Sequence, residues 1–90
     1  MSISKIVKVN NKDGIHARPS AMIVECASKF PCNIFFYKNS KKGDAKNILD
    51  LMCMAMTYGQ DVKIECEGEQ ELEALDALSQ LFSKEFNFEK

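Results

Sequence analysis

The chain has 90 residues, with twelve Lys and Arg against thirteen Asp and Glu, a formal charge of -1 and a single histidine. That length suits one domain over residues 1–90, with no room for a second core or a deep substrate cleft, so any chemistry is expected at the surface. The balanced charge lacks the basic excess of a nucleic-acid binder. No apolar stretch approaches the roughly 20 residues that span a bilayer, and the N-terminus lacks the apolar core of a secretory signal. The expected setting is therefore the cytosol, with protein or small-anion partners, no nucleic acid and no membrane insertion.

Residues 3–9 read as a strand, with Val7 and Val9 on one face and Lys8 on the other. The turn residues Asn10, Asn11, Lys12, Asp13 and Gly14 end it. From Arg18 onward Ser20, Ile23, Val24, Ala27 and Phe30 recur at helical spacing, and Pro31 ends that helix. Residues 33–38 alternate again, Ile34 and Phe36 against Phe35 and Tyr37. The polar run Asn39, Ser40, Lys41, Lys42 and Gly43 then turns the chain into a short further strand. A brief helix from Asn47 is expected to turn Ile48, Leu51 and Met54 inward, leaving Leu49, Asp50 and Met52 elsewhere.

Gly59 closes this region, and Val62, Ile64 and Cys66 alternate with Lys63, Glu65 and Glu67 in the clearest strand pattern of the chain. The last helix is expected from near Glu69, with an acid-rich start that suits the helix dipole. It is expected to bury Leu72, Leu75, Leu78, Phe82 and Phe86, with Lys84 in its last turns. The order βαββαβα implies an α+β open-faced sandwich: a four-stranded antiparallel sheet covered on one face by three helices, with Phe35 and Tyr37 on the uncovered side. No internal repeat, linker or low-complexity stretch argues for a second domain.

Cys26, Cys32, Cys53 and Cys66 form no C-x-x-C pair, and one histidine cannot complete the usual zinc spacing, so neither metal nor cofactor is expected. Buried reduced thiols are the expectation, since a chain with a full apolar pattern has little need of disulfides.

The chemical group that stands out is His16, in the run Gly14, Ile15, His16, Ala17, Arg18, Pro19, where an extended segment gives way to a helix. A helix start offers unpaired N–H groups and positive partial charge, both favourable to an anion, so an imidazole there is well placed to carry phosphate. Arg18 adds a planar fork of donors, Ala17 shares the helix start, and Pro19 suits a first helical turn. With a reference pKa of about 6.5, and a helix N-terminus lowering it further, the imidazole is expected to be neutral and nucleophilic. The bland alternatives are an incidental loop histidine and a solvated arginine.

With its length and element order, the segment His16, Ala17, Arg18, Pro19 resembles the phosphorylation site of HPr, the histidine-containing phosphocarrier family of the bacterial phosphoenolpyruvate-dependent sugar phosphotransferase system. Ala45, Lys46, Asn47 and Ile48 look like the start of the family's short middle helix. The resemblance implies a monomeric carrier, not an enzyme. It would accept phosphate on Nδ1 of His16 from phosphorylated Enzyme I and pass it to a IIA component, with Arg18 steadying the phosphate. It also implies a docking surface, for which Met22, Leu49 and Met52 are the apolar candidates and Lys46 the basic one.

Three positions depart from the family pattern. Asn47 stands where HPr proteins under kinase control carry a serine; it has no hydroxyl to phosphorylate but can still cap the helix. Asp50 stands where glycine or a basic residue is usual, and Glu25 replaces a frequent lysine. Both add negative charge that would slow docking to acidic partners, unless they are simply solvated acids. A nitrogen-related or regulatory carrier is the nearest alternative. A small enzyme using His16 as general base with Asp13 or Arg18, and an HPr-like binding module that transfers no phosphate, fit less well.

Overall fold

The structure is a computed structural model that describes residues 2–12, 15 and 17–83, and of Ala17 the backbone alone. In chain order the elements are β1 (Ser2–Lys8), α1 (Ala17–Ala27), β2 (Asn33–Lys38), β3 (Lys41–Asp44), α2 (Ile48–Cys53), β4 (Asp61–Glu67) and α3 (Glu71–Ser83). The strands form one sheet in the order β1-β4-β2-β3, every neighbouring pair antiparallel. The expected βαββαβα open-faced sandwich is therefore the observed architecture. Among the described residues no helix is long and apolar enough to cross a membrane.

Strict alternation in β2 and β4 decides which face of the sheet the helices cover. The register sets Ile34 against Cys66 and Phe36 against Ile64, so these side chains share the inner face with Val62 and are all buried. Phe82 of α3 meets Phe36 edge to face, with centroids 5.5 Å apart and ring planes at 74°. Ile23 and Ala27 from α1, Leu51 and Met54 from the end of α2, and Leu75 and Leu78 from α3 close the core. Gly43 permits the close approach of this last turn to β3, because a Cβ there would lie 2.7 Å from Met54 Sδ.

The outer face carries Phe35 and Tyr37, both half-buried beneath lysines. Lys42 Nζ stands 4.4 Å from the Phe35 ring centroid, and Lys63 Nζ stands 5.6 Å from that of Tyr37. The Tyr37 hydroxyl donates to Glu65 Oε1 at 2.9 Å, and this bond to a carboxylate is the main reason the phenol pKa is raised.

Four details differ from the periodicity. α3 begins at Glu71 rather than near Glu69, because Gly68 and Gln70 have φ of 124° and 65°, outside the helical region. The Glu71 carboxylate accepts from Gly68 N–H at 3.0 Å and caps the turn. With that start, the buried stripe runs through Ala74, Leu75, Leu78, Ser79 and Phe82, and Leu72 falls off it at 70% exposure instead of being buried. Ile48, expected inward, is 37% exposed, because the single buried stripe of so short a helix is supplied by Leu51 with Met54. α1 ends at Ala27, and the chain tightens through Lys29 N–H to Cys26 O and Phe30 N–H to Ala27 O before reaching Pro31. Lys84 and Phe86 lie outside the described residues.

All four thiols are free, but they are not alike. Cys32 and Cys66 are buried and Cys26 is half-buried. Cys53 is exposed at the last turn of α2, contrary to the expectation of four buried thiols, because Leu51 and Met54 take the inner side there. Burial, with Cys32 close by, pushes the Cys66 thiol from its ordinary 9.0 up to about 12. The neutral thiol is thus the form the fold prefers. Its contribution to stability is fully present below pH 9.0 and is lost as pH rises toward about 12. Urea midpoints should fall more steeply across that window in the parent chain than in Cys66→Val; parallel declines would show that Cys66 is not the cause.

Candidate functional site

His16, with Asp13 and Gly14 before it, lies outside the described residues, so the site is built from the groups on either side of it. Ile15 is buried, and its N–H donates to Met56 O at 2.8 Å, which ties the residue ahead of His16 to the strand-side exit of α2. α1 starts at Ala17, so the N–H groups of its first turn follow His16 directly in the chain. Arg18 is exposed. Pro19 is buried, as suits a residue that fixes the first turn. Ser20 is fully buried, and its Oγ has no hydrogen-bond partner among the described residues.

α2 supplies the second part of the site. Asn47 is its N-cap, with extended φ and ψ of -125° and 111°, and Oδ1 accepts from Leu49 N–H at 3.0 Å and Asp50 N–H at 3.2 Å. The cap expected of asparagine at this position is therefore present. Leu51 and Met54 face the core, which leaves Leu49 at 69% and Met52 at 43% exposure, with Ile48 beside them, as an apolar outer face. α1 packs against both α2 and α3.

The other expected docking residues are arranged differently. Met22 is half-buried against the core and lines a groove of about 370 Å³ between α1 and α3, with Glu25, Cys26, Lys29, Gln80 and Leu81. Glu25 thus borders that groove. Lys46 Nζ donates to Phe30 O and Cys32 O, both at 2.7 Å, and so binds the loop after α1 to the segment ahead of α2. Asp50 Oδ2 accepts from Asp44 N–H at 3.0 Å, while Asp44 Oδ1 accepts from Lys46 N–H at 2.9 Å. Both side chains expected to meet a partner therefore also hold the backbone around the start of α2, a use that charge and position in the sequence do not signal.

Among the described residues no cluster of three His, Cys, Asp or Glu side chains is placed to hold a metal ion. The arrangement offers a helix start, a guanidinium near it and a helix with an exposed apolar face that packs against α1. That combination suits transfer at a surface between docked proteins.

Comparison with known proteins agrees with this geometry. The family description PTS-HPr, "PTS HPr component phosphorylation site", matches residues 3–84. The chain belongs to the HPr family. It is 38% identical over 87 residues to the phosphocarrier protein HPr of Treponema pallidum, covering 97% of this chain and 99% of that protein. To the HPr-like protein Crh of Halalkalibacterium halodurans it is 40% identical, covering 92% and 99%. The crystal structure of HPr-C-His from Thermoanaerobacter tengcongensis superposes with a TM-score of 0.90 at 39% identity, covering 98% of this chain and 99% of that one. HPr proteins are phosphocarriers of the phosphotransferase system rather than enzymes, and this chain shares their fold over nearly its whole length.

One residue reasoning from sequence missed is Lys38. Continuing the alternation of Ile34 and Phe36 puts it on the inner face of β2, and it is buried there.

The cap at Asn47 can be tested without touching the rest of the site. Asn47→Ala should cost about 1 kcal/mol of stability, whereas Asn47→Ser should cost much less, because a serine Oγ can accept the same N–H groups. Urea denaturation of the two variants checks this, and equal losses would mean that the side chain does not cap α2.

Proposed function

We propose that this HPr-family chain is a cytoplasmic carrier that accepts a phosphoryl group on His16 from phosphorylated Enzyme I and passes it to a IIA component for sugar uptake. The observation that carries the reading is the match of the family description to residues 3–84, a span that contains His16 and in which Arg18 and Pro19 lie in the first turn of α1. The neutral imidazole uses its Nδ1 lone pair to form the new N–P bond while the bond between phosphorus and the donor side chain breaks, its electron pair staying with the donor. The same displacement in reverse order of roles delivers phosphate to the acceptor. In such transfers positioning and charge stabilisation supply most of the catalysis. Arg18 and the N–H groups at the start of α1 suit the phosphate oxygens, with Ala17 and Pro19 shaping that turn.

Ile48, Leu49 and Met52 form the apolar centre of the proposed docking surface, and Met22 contributes from α1. Lys46, Asn47 and Asp50 act mainly by holding α2 in place, so we assign Asp50 less influence on docking rate than its charge alone suggests. With asparagine at position 47, the carrier has no hydroxyl there for regulatory phosphorylation. The 40% identity to a Crh protein favours one second reading, an HPr-like binding module.

Incubation with phosphoenolpyruvate and catalytic Enzyme I should add one acid-labile phosphoryl group to the chain and none to His16→Ala, read by intact mass and phosphorus NMR. No phosphate on the parent with its cognate Enzyme I would overturn the carrier and promote the binding module. Leu49→Asp should raise KM for Enzyme I by about 10-fold, the effect of an interface anchor worth ~1.4 kcal/mol, and leave the urea midpoint nearly unchanged because the side chain is exposed. An unchanged KM would remove Leu49 from the docking surface.

A further inference from the structure

Lys38 is the one buried charged side chain among the described residues, and it occupies a core-facing position of β2 where the pattern Ile34, Phe36 asks for an apolar residue. A methionine would fill that space without taking an ammonium out of water, so packing alone does not account for the lysine. Nor does an ion pair: the salt bridge among the described residues joins Lys8 to Asp61 on the other side of the sheet. Lys38 Nζ instead donates to Ala55 O at 2.9 Å.

Ala55 is an uncommon backbone position. It follows the C-cap of α2, Met54, and has a φ of 52°, in the left-handed region that asparagine or glycine usually occupies after a helix. The next residue, Met56, is buried, and its carbonyl receives the N–H of Ile15 at 2.8 Å. A short path of hydrogen bonds and one peptide thus connects the Lys38 ammonium to the residue immediately before His16. Lys38, Met56 and Ile15 are buried, whereas Ala55, Leu49 and Met52 are exposed.

We propose that Lys38 is a positioning residue for phosphoryl transfer: by holding the Ala55 carbonyl it fixes the left-handed turn after α2, and through Met56 it fixes the backbone of Ile15, the residue before His16 in the chain. This rests on the phosphoacceptor reading of His16. In-line transfer is sensitive to displacements of about an ångström, which can change rates by about 100-fold, so a backbone tie one residue away acts on the rate. The amine does not touch the phosphate; its effect passes through the main chain. Because Lys38 and Met56 are buried and offer no surface to a docking partner, the effect belongs in kcat and not in KM.

The test compares the parent chain, Lys38→Met and Lys38→Arg in transfer from phosphorylated Enzyme I, with 15N-edited spectra of the same proteins. Lys38→Met should lower kcat about 10-fold at unchanged KM and shift the Ile15 amide resonance, and Lys38→Arg, which retains a donor, should recover both. Full kcat in a folded Lys38→Met, a loss confined to KM, or a fall in kcat with the Ile15 amide unmoved would each overturn the proposal. Should Lys38→Met fail to fold, Ala55→Val provides the second route. Its β-branched side chain opposes the left-handed φ at an exposed position, and it should reproduce the loss of kcat; normal kcat in that variant counts against the link. A parent chain that takes no phosphate overturns the carrier reading and this one together, whereas a charged parent with an equally fast Lys38→Met overturns this one alone.

Discussion

The inner face of β2 and β4 is the constraint on which the rest of the molecule depends. Phe36 lies between Ile64 across the sheet and the ring of Phe82 from α3, and Ile34 and Val62 extend the same surface. Burial of an aromatic or branched aliphatic side chain is worth about 1.5–3 kcal/mol, so a handful of such residues accounts for the preference of the chain for one strand register. A shift of register by one residue would turn Phe36 and Ile64 to water and bring Lys63 and Tyr37 inside. With the register fixed, α1 and α3 have one sheet face to cover, and α1 packs against both α2 and α3.

The candidate site is assembled around this base mostly by main-chain bonds. Lys46 reaches two carbonyls of the loop after α1, Asp50 receives the N–H of Asp44, and Asn47 receives two N–H groups of the first turn of α2. Each polar side chain satisfies backbone groups that a six-residue helix and its short connections would otherwise leave to solvent. The apolar side chains of Leu49 and Met52 are thereby left on the outside of α2.

Period-two alternation made β2 and β4 legible in the sequence, and helical spacing gave the core positions of α1, because in both cases a single buried face dictates the pattern. The start of α3 was not legible: the acidic run suits a helix start anywhere from Glu69 onward, and what delays it is a pair of backbone conformations at Gly68 and Gln70. Leu72 was misassigned for the same reason, since a helix that begins later has a different first turn. Ile48 and Cys53 mark the limits of reading phase in a helix of under two turns, where one buried stripe is all that exists. At the site, the motif around His16 was readable from residue order alone. The internal bonds of Lys46 and Asp50 were not, because charge does not reveal whether a side chain reaches outward or back to its own backbone. Lys38 was readable in principle, as a polar residue at an inward position of a strand.

The strand order also bears on how the protein comes into being. β4 lies between β1 and β2, with Ser2 paired to Glu67 and Asn33 paired to the same residue from the other side. Neither of those earlier strands has its long neighbour until the ribosome has made and released residue 67. Such distant pairing slows folding relative to a bundle of local helices, since the loop between partners must close before contacts reward it. During synthesis the segment containing His16 therefore leaves the exit tunnel well ahead of the strand that completes the sheet, and a nascent chain has no finished surface for another protein to recognise.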